Sequence, residues 1–318
     1  MTTLPLVDPS LLPLLEFMPG NAFTADNLAQ IREVSEQRFA FLGEPALKPE
    51  IKVIDGPGGP LEIYWYNPQP GAQNQAALLH IHGGGMVIGS AKSMQHGPAG
   101  TAATLGIPVA SVEYRLAPEH PFPAPQDDCL AGLKWLADNA AALGVDPARI
   151  GILGESAGGG LAAATALMAR DTGGPALAAQ FLVFPMLDHR TGSQACPWGN
   201  PTTGEFVWTR ESNQFGWEAL RGDYAINDAR KGWFSPSLAD ELAGLPQTWI
   251  GTGSLDLFVD ENLDYARRLI AARVPVELHS YPGAIHAFQA IADGHLAKAF
   301  TRDLLGAIAR WLDIPPAG

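Results

Sequence analysis

One stretch, residues 149–164, constrains the fold of this chain more than any other. An apolar run reaches Gly154, the sequence Gly-Glu-Ser-Ala-Gly closes at Gly158, and an alanine-rich run without proline follows. This order predicts a strand, a tight turn and a helix, with Ser156 projecting alone from a strained turn. The two glycines let the strand and the helix approach each other without Cβ clashes. A serine that only caps the helix fits the same pattern, so the turn needs partners elsewhere in the chain before it indicates a nucleophile.

The composition limits the classes of protein to consider. The chain has 318 residues, 47% of them hydrophobic and 17% charged, so it can bury a large core in one elaborated α/β domain or in two domains. Its formal net charge of -13 argues against a nucleic-acid partner, because such proteins need a basic surface to displace counterions. Cys129 and Cys196 lie far apart without the spacing of metal ligands, so we expect reduced thiols and no metal site.

The N-terminal residues do not resemble a targeting segment. Residues 1–20 lack a basic start and are interrupted by four prolines. Neither a signal peptide nor a membrane anchor is therefore expected. No apolar run approaches the length that a bilayer-spanning helix requires. The sequence predicts a cytoplasmic protein with no membrane partner.

The pattern of apolar residues predicts strands that alternate with helices. Residues 24–42 have helical spacing, and a glycine- and proline-rich turn at residues 56–60 separates two strands of a hairpin. A helix over residues 126–143 leads into the strand before Gly154. We expect a largely parallel sheet that is covered on both faces. Besides the strand before Gly154, the predicted strands are residues 51–54, 61–66, 76–82, 108–113, 179–184, 248–251 and 275–281.

One segment, residues 188–235, interrupts this alternation. No strand is predicted there, and four of the eight tryptophans of the chain fall within it. The segment is either a surface excursion anchored by its aromatic side chains or a cap whose aromatic side chains wall an apolar pocket. The four residues are Trp198, Trp208, Trp217 and Trp233.

A nucleophilic serine needs a base, and the base needs a carboxylate that holds its tautomer. In a parallel sheet these groups lie in loops after the carboxyl ends of strands. Asp256 follows the predicted strand 248–251, and His286 follows the strand that ends at Tyr281. Asp260 falls in the first turn of a helix, where a carboxylate interacts favourably with the helix dipole. The predicted catalytic order is Ser156, Asp256 and His286.

The other candidate histidines are less suitable as the base. His279 lies inside a predicted strand, which favours a structural role. His295 lies beside the terminal helix and is expected at the surface. His189 follows a strand but precedes any acid that the later loops supply. His286 is therefore the predicted base.

A glycine run offers hydrogen-bond donors for an oxyanion. Gly83, Gly84 and Gly85 follow a predicted buried strand, and their amides can approach a small anion closely because they carry no Cβ. The amide of Ala157, next to Ser156, is the further candidate. The amides of Gly83, Gly84, Gly85 and Ala157 are therefore the candidate oxyanion donors.

Four motifs together resemble the hormone-sensitive-lipase-like family (family IV) of bacterial carboxylesterases. The resemblance extends from about residue 60 to the C-terminus and implies an α/β-hydrolase fold with a mostly parallel sheet and a helical cap. It divides the chain into a cap segment at 1–50, a core at 51–187 and 236–318, and a cap insertion at 188–235. The motifs are His82-Gly83-Gly84-Gly85, Tyr114-Arg115-Leu116-Ala117-Pro118-Glu119, Gly154-Glu155-Ser156-Ala157-Gly158-Gly159 and His286-Ala287-Phe288.

The resemblance also implies a role for each matching residue. His82 corresponds to a histidine that steadies the glycine loop, and Glu155 is interpreted as a carboxylate that holds the turn. In one departure, Asp256 is followed directly by Leu257, where the family often has Asp-Pro-Leu. The implied nucleophile, acid and base are Ser156, Asp256 and His286, and the implied oxyanion donors are Gly84, Gly85 and Ala157.

The implied reaction is two-step hydrolysis of a small-molecule carboxylic ester, of short to medium chain length, with no metal or organic cofactor. An amidase or acyltransferase with the same triad is an alternative, because the cap and not the motif selects the leaving group and the acceptor. A lipase acting at interfaces, or a small-molecule receptor on the same fold, is a further alternative. Similar proteins commonly dimerise through the last edge of the sheet, so the resemblance allows a homodimer.

Overall fold

The computed structural model describes residues 2–18, 20, 22–40 and 43–315 and contains one eight-stranded sheet. The strand order is β1-β2-β4-β3-β5-β6-β7-β8. The β1–β2 and β2–β4 pairs are antiparallel and the other neighbours are parallel, which confirms the predicted fold class. The strands are β1 (Glu50–Gly56), β2 (Gly59–Tyr66), β3 (Gln75–Ile81), β4 (Val109–Val112), β5 (Val145–Glu155), β6 (Ala179–Val183), β7 (Gln247–Gly253) and β8 (Val276–Tyr281).

The helices cover the sheet and also form the N-terminal segment, as the sequence predicted. The predicted helix 24–42 corresponds to α2, with residues 41 and 42 outside the described part of the chain. The helices are α1 (Leu12–Phe17), α2 (Leu28–Ala40), α3 (His96–Leu105), α4 (Ala124–Asp138), α5 (Ala140–Leu143), α6 (Ala157–Thr172), α7 (Arg210–Arg221), α8 (Lys231–Phe234), α9 (Val259–Ala271) and α10 (His295–Trp311). Short 3-10 turns lie at Leu4–Leu6, Pro9–Leu11, Pro236–Leu238 and Phe288–Ala290.

The predicted helix over 126–143 is wrong in one respect, because it is split into α4 and α5. Asn139 leaves the helical conformation, with φ -99° and ψ 6°. Its side-chain amide donates to the Trp135 carbonyl oxygen at 2.8 Å, which completes the last turn of α4. An asparagine side chain that bonds to nearby backbone competes with continuation of the helix in this way.

Strand β3 lies at the centre of the core, and all seven of its residues are buried. Alternate side chains point to opposite faces of a strand. Ala77 and Leu79 belong to a buried apolar cluster on one side of the sheet, and Ala76 and Leu78 belong to a second cluster on the other. A strand buried on both faces has a nearly continuous apolar sequence, and the run Ala76-Ala77-Leu78-Leu79 is the pattern from which β3 was predicted.

Residues 188–235 contain α7 and α8, and no strand lies there among the described residues. Buried polar groups attach the start of this segment to α9. Glu261 accepts from the Leu187 amide at 2.6 Å and contacts the Thr191 hydroxyl, while Asn262 donates to the Pro185 carbonyl oxygen at 2.7 Å. Burial raises the pKa of Glu261 well above its usual value.

In the described part of the chain, none of the helices is both long and apolar enough to traverse a bilayer.

Candidate active site

Ser156 lies between β5 and α6 in a strained conformation, with φ 57° and ψ -120°. Its amide donates to the Val183 carbonyl oxygen at 2.9 Å, and its own carbonyl oxygen accepts from the Met186 amide at 2.9 Å. A Cβ at Gly154 would lie 2.1 Å from the Gly158 carbonyl oxygen, and one at Gly158 would lie 2.1 Å from the Ile81 carbonyl oxygen. Both glycines are therefore required, since side chains there would push the turn out of this geometry.

His286 contacts both of its predicted partners. Its Nε2 lies 2.9 Å from Ser156 Oγ, and its Nδ1 lies 2.8 Å from Asp256 Oδ2. The exposed fractions of Ser156, His286 and Asp256 are 7%, 5% and 0%. A carboxylate that accepts from Nδ1–H leaves Nε2 as the acceptor for the serine hydroxyl proton. The arrangement can therefore move a proton from Ser156 to His286.

The turn after β7 presents Asp256 to the histidine. Its Oδ1 accepts from the Phe258 amide at 2.9 Å, which leaves Oδ2 for His286. Asp260 lies in the first turn of α9, as predicted, and borders a separate pocket of about 330 Å³ that Arg210 also lines. No contact joins Asp260 to His286 in the part of the chain that the structure describes.

Aromatic rings surround the imidazole of His286. The centroid of Phe184 lies 4.8 Å from it, that of Phe258 5.3 Å and that of Trp208 6.5 Å. Phe184 follows β6 and Phe258 precedes α9, so two loops of the core contact the ring from different sides. These contacts restrict the ring to the orientation that reaches Ser156.

The glycine loop lies beside the serine. A Cβ at Gly83 would lie 3.4 Å from Ser156 Cβ. Gly84 and Gly85 have φ values of +117° and +62°, and a Cβ at either residue would be within 2.2 Å of another atom. The carbonyl oxygen of Gly84 accepts from two amides further along the turn. Within the described residues, the amides of Gly84, Gly85 and Ala157 donate to no protein acceptor.

Two further polar residues hold the loop and the turn. His82 is fully buried, its Nδ1–H donates to the Gly83 carbonyl oxygen at 2.8 Å, and its ring stacks on Tyr114 at 4.2 Å. Burial lowers the pKa of His82 to about 3, so the ring is neutral. Glu155 lies 3.0 Å from His80 Nε2, and His80 Nδ1 lies 2.8 Å from Ser111 Oγ.

Sequence reasoning did not identify His80. Its position in the buried strand directly before the glycine run was the available signal, since a buried polar side chain needs a partner.

The remaining histidines lie elsewhere, and no contact connects them to Ser156 in the described structure. His279 is in β8, 2.8 Å from Glu277. His295 is 67% exposed at its side chain and lies 3.3 Å from Asp8. His189 packs against both Trp217 and Phe234, and burial lowers its pKa.

The four tryptophans of the 188–235 segment occupy different surroundings. Trp208 is buried against Gly85, with its ring 5.2 Å from that of Phe23. Trp217 packs in the core against Phe234, and Trp233 donates to Asp171 at 2.8 Å. Trp198 lines the separate pocket beside Asp260. Trp208 therefore borders the candidate site, whereas Trp217 and Trp233 anchor the segment.

No group of three or more His, Cys, Asp or Glu residues that could hold a metal ion occurs among the described residues. Both cysteines are free, with Cys129 buried.

Comparisons with known proteins place the chain in a family. A family model described as alpha/beta hydrolase fold matches residues 78–290. Carboxylesterase NlhH of Mycobacterium tuberculosis is 35% identical over 296 residues, covering 89% of each chain. Ethyl acetate hydrolase of Pseudomonas putida is 31% identical over 280 residues, covering 85% of each.

Solved structures agree with these matches. A bacterial heroin esterase has a TM-score of 0.89 and 35% identity, with 98% of this chain and 99% of that chain covered. An esterase of Pyrobaculum calidifontis has a TM-score of 0.84 and 31% identity, with 96% and 98% covered. The protein is a carboxylic ester hydrolase, and it belongs to the hormone-sensitive-lipase-like family of α/β-hydrolases.

Proposed function

We propose that the protein hydrolyses short- to medium-chain carboxylic esters through a Ser156–His286–Asp256 triad and an acyl-enzyme intermediate. The observation that carries the proposal is the pair of contacts made by His286, 2.9 Å to Ser156 Oγ and 2.8 Å to Asp256 Oδ2. Nucleophile, base and orienting acid thus form one connected relay at the end of the sheet.

In the first step, His286 Nε2 takes the hydroxyl proton of Ser156 while Oγ attacks the ester carbonyl carbon. The carbonyl oxygen becomes an oxyanion, to which the amides of Gly84, Gly85 and Ala157 donate. The Ala157 amide is at the N-terminus of α6, where the helix dipole also favours negative charge. The positive φ angles of Gly84 and Gly85 give the loop a defined backbone conformation, which supports donors that need no reorganisation.

The intermediate then collapses. His286 Nε2–H gives its proton to the departing alcohol oxygen, and the acyl group remains on Ser156 Oγ. Water attacks this acyl-enzyme with His286 again as the base, which releases the acid and restores the serine. Asp256, which is fully buried, stabilises the imidazolium during both steps.

The chain-length preference is proposed from the position of Trp208. Its ring borders Gly85 and lies 6.5 Å from the ring of His286, so a large fixed side chain limits the space beside the reacting carbonyl. A relative named ethyl acetate hydrolase supports a small ester as substrate.

The test is hydrolysis of p-nitrophenyl esters from acetate to palmitate by the wild-type protein and by Ser156→Ala. We expect wild-type turnover that is highest on the shorter esters and a loss of at least about a thousandfold in Ser156→Ala. Circular dichroism of the variant should match that of the wild type. Wild-type-like turnover in a folded Ser156→Ala protein would contradict the proposal, and highest turnover on palmitate would contradict the chain-length preference.

A further inference from the structure

One face of helix α2 rests on the outside of the glycine loop. Leu28, Arg32 and Glu36 are spaced four residues apart and so lie on the same face of the helix. Leu28 is buried in the core, and Glu36 accepts from Ser90 Oγ at 3.1 Å. Arg32 lies between them and makes the most contacts of the three.

Arg32 donates to two loops at once. Its Nε donates to the Val87 carbonyl oxygen at 2.8 Å, and its Nη2 donates to the Ala117 carbonyl oxygen at 2.9 Å. The two ends of the guanidinium also donate to the carboxylate of Glu119, at 2.7 and 2.8 Å. The Arg32 hydrogen bonds lower the pKa of Glu119 to about 2, so the pair is charged at neutral pH. The proposed mechanism gives Glu119 no role, although it belongs to one of the four motifs.

Val87 and Ala117 are both connected to the candidate oxyanion donors. The Val87 amide donates to the Gly84 carbonyl oxygen at 3.1 Å, so both residues belong to one turn. The Ala117 amide donates to the Met86 carbonyl oxygen at 2.9 Å, which joins the second loop to the same turn. Arg32 therefore holds, from outside, the turn that contains the candidate oxyanion donors Gly84 and Gly85.

Without the guanidinium, the carbonyl oxygens of Val87 and Ala117 would lose a donor in a buried setting, where unpaired polar groups are unfavourable. The turn would relax to recover partners. Oxyanion donors stabilise the transition state only while they stay aimed at it, and small displacements cost rate rather than substrate binding.

We propose that Arg32 is a positioning residue that links helix α2 to the glycine loop and thereby supports kcat. The inference rests on the proposed function, since it concerns the oxyanion donors of that mechanism. It assigns to the N-terminal helix, through Arg32 and the motif residue Glu119, a part in the chemistry as well as in covering the site.

The test compares Arg32→Gln, Arg32→Lys and the wild type. Active sites are first counted by the nitrophenolate released when diethyl p-nitrophenyl phosphate reacts to completion, and kcat and KM on p-nitrophenyl butyrate are then expressed per counted site. We expect kcat to fall about ten- to hundredfold in Arg32→Gln with KM within about threefold of wild type. Arg32→Lys should recover part of the loss, because one ammonium cannot reach all three acceptors.

Arg267→Gln is the matched control, since Arg267 is 73% exposed and pairs only with Asp264 among the described residues. It should keep the wild-type kcat. The inference would be overturned if Arg32→Gln kept the wild-type kcat per counted site, or if kcat fell equally in Arg32→Gln and Arg267→Gln. Either result would leave the proposed function intact. If Arg32→Gln does not fold, a wild-type kcat per site in Arg32→Lys overturns the inference. Absence of wild-type turnover would instead refute the proposed function and this inference together.

Discussion

Asp256 and Asp260 are four residues apart, yet their carboxylates have different surroundings. Asp256 is fully buried and lies 2.8 Å from His286, whereas Asp260 lies in the first turn of α9 beside an open pocket. An amide at position 256 cannot hold the histidine in the tautomer that accepts the serine proton. We expect Asp256→Asn to lower kcat on p-nitrophenyl butyrate by about a thousand- to ten-thousandfold.

Asp260→Asn is the matched control and should keep kcat within about threefold of wild type, because a first-turn carboxylate contributes only through the helix dipole. Stopped assays at one pH suffice for both variants. A larger loss in Asp260→Asn than in Asp256→Asn would reassign the acid.

The buried carboxyl group of Glu113 should make the stability of the protein depend on pH. Burial, with smaller contributions from Glu62 and Glu36, raises the pKa of Glu113 to about 7, although its carboxylate accepts from the Ala91 amide at 2.9 Å. The unfolded chain releases this proton near 4.5. The folded protein binds the Glu113 proton more tightly than the unfolded chain does, and this difference stabilises the fold. The stabilisation is fully present below about pH 4.5 and is lost as the pH rises through about 7.

Urea unfolding of the wild type and of Glu113→Gln checks this. Between about pH 5 and pH 8 the wild type should lose stability relative to the variant, by at most about 3 kcal/mol. The glutamine has no titrating proton, so its own curve supplies the reference. A difference that does not change with pH would contradict the assignment.

At this scale the sequence predicted the residues that local pattern identifies. Ser156, Asp256 and His286 each follow a predicted strand, and the structure brings them together. Arg32 belongs to none of the recognised motifs, and its partners lie 55 to 87 residues away. The burial of His80 in a predicted strand signals a polar partner but does not identify Glu155, which is 75 residues away. Only the folded chain shows such pairs.

At the scale of elements, we propose that Trp208, in the segment before α7, limits the width of the site. Gly85 has no Cβ and the ring of Trp208 occupies that space, with Nε1 donating to Asn213 at 3.1 Å. Removing the ring should open space beside His286. We expect Trp208→Ala to shift the highest kcat/KM in the p-nitrophenyl ester series towards longer acyl groups by at least two carbons, since each added buried methylene contributes about 0.8 kcal/mol.

Trp233→Phe is the control within the same segment, since Trp233 contacts Asp171 rather than the site. Its chain-length profile should match that of the wild type, with only the hydrogen bond to Asp171 lost. The same profile in Trp208→Ala as in the wild type would show that Trp208 does not limit the substrate.

The elements themselves were largely predictable because apolar runs and breaks are local. The first residue of β5 was harder to predict. The strand begins at Val145, before the apolar run of the motif, because Val145 pairs with Gln75 of β3, next to an irregularity in the register. Asp146 and Pro147 interrupt the apolar pattern there, so the local sequence does not indicate that this part of the chain belongs to the strand. The strand end is determined by its neighbour rather than by its own sequence.

At the scale of the whole molecule, two segments that are distant in the sequence contact each other. Thr3 Oγ1 donates to Glu205 at 2.6 Å, and Phe23 packs against Trp208, so the N-terminal residues and the 188–235 segment contact each other above the glycine loop. These contacts support our proposal that residues 1–50 and 188–235 together form the cap. The fold was predictable because its four motifs span residues 82–288 in order, whereas the cap lacks such motifs. A homodimer and a cytoplasmic location stay predictions.

The triad is tested most directly by covalent labelling with diethyl p-nitrophenyl phosphate, followed by intact-mass measurement and peptide mapping. We predict one diethylphosphoryl group per chain, attached to Ser156, with ester hydrolysis lost in proportion to labelling. Ser156→Ala should take up no label and should hydrolyse esters at least about a thousandfold more slowly than the wild type. A label on another residue that abolishes activity, or sustained hydrolysis by a fully Ser156-labelled protein, would contradict the account.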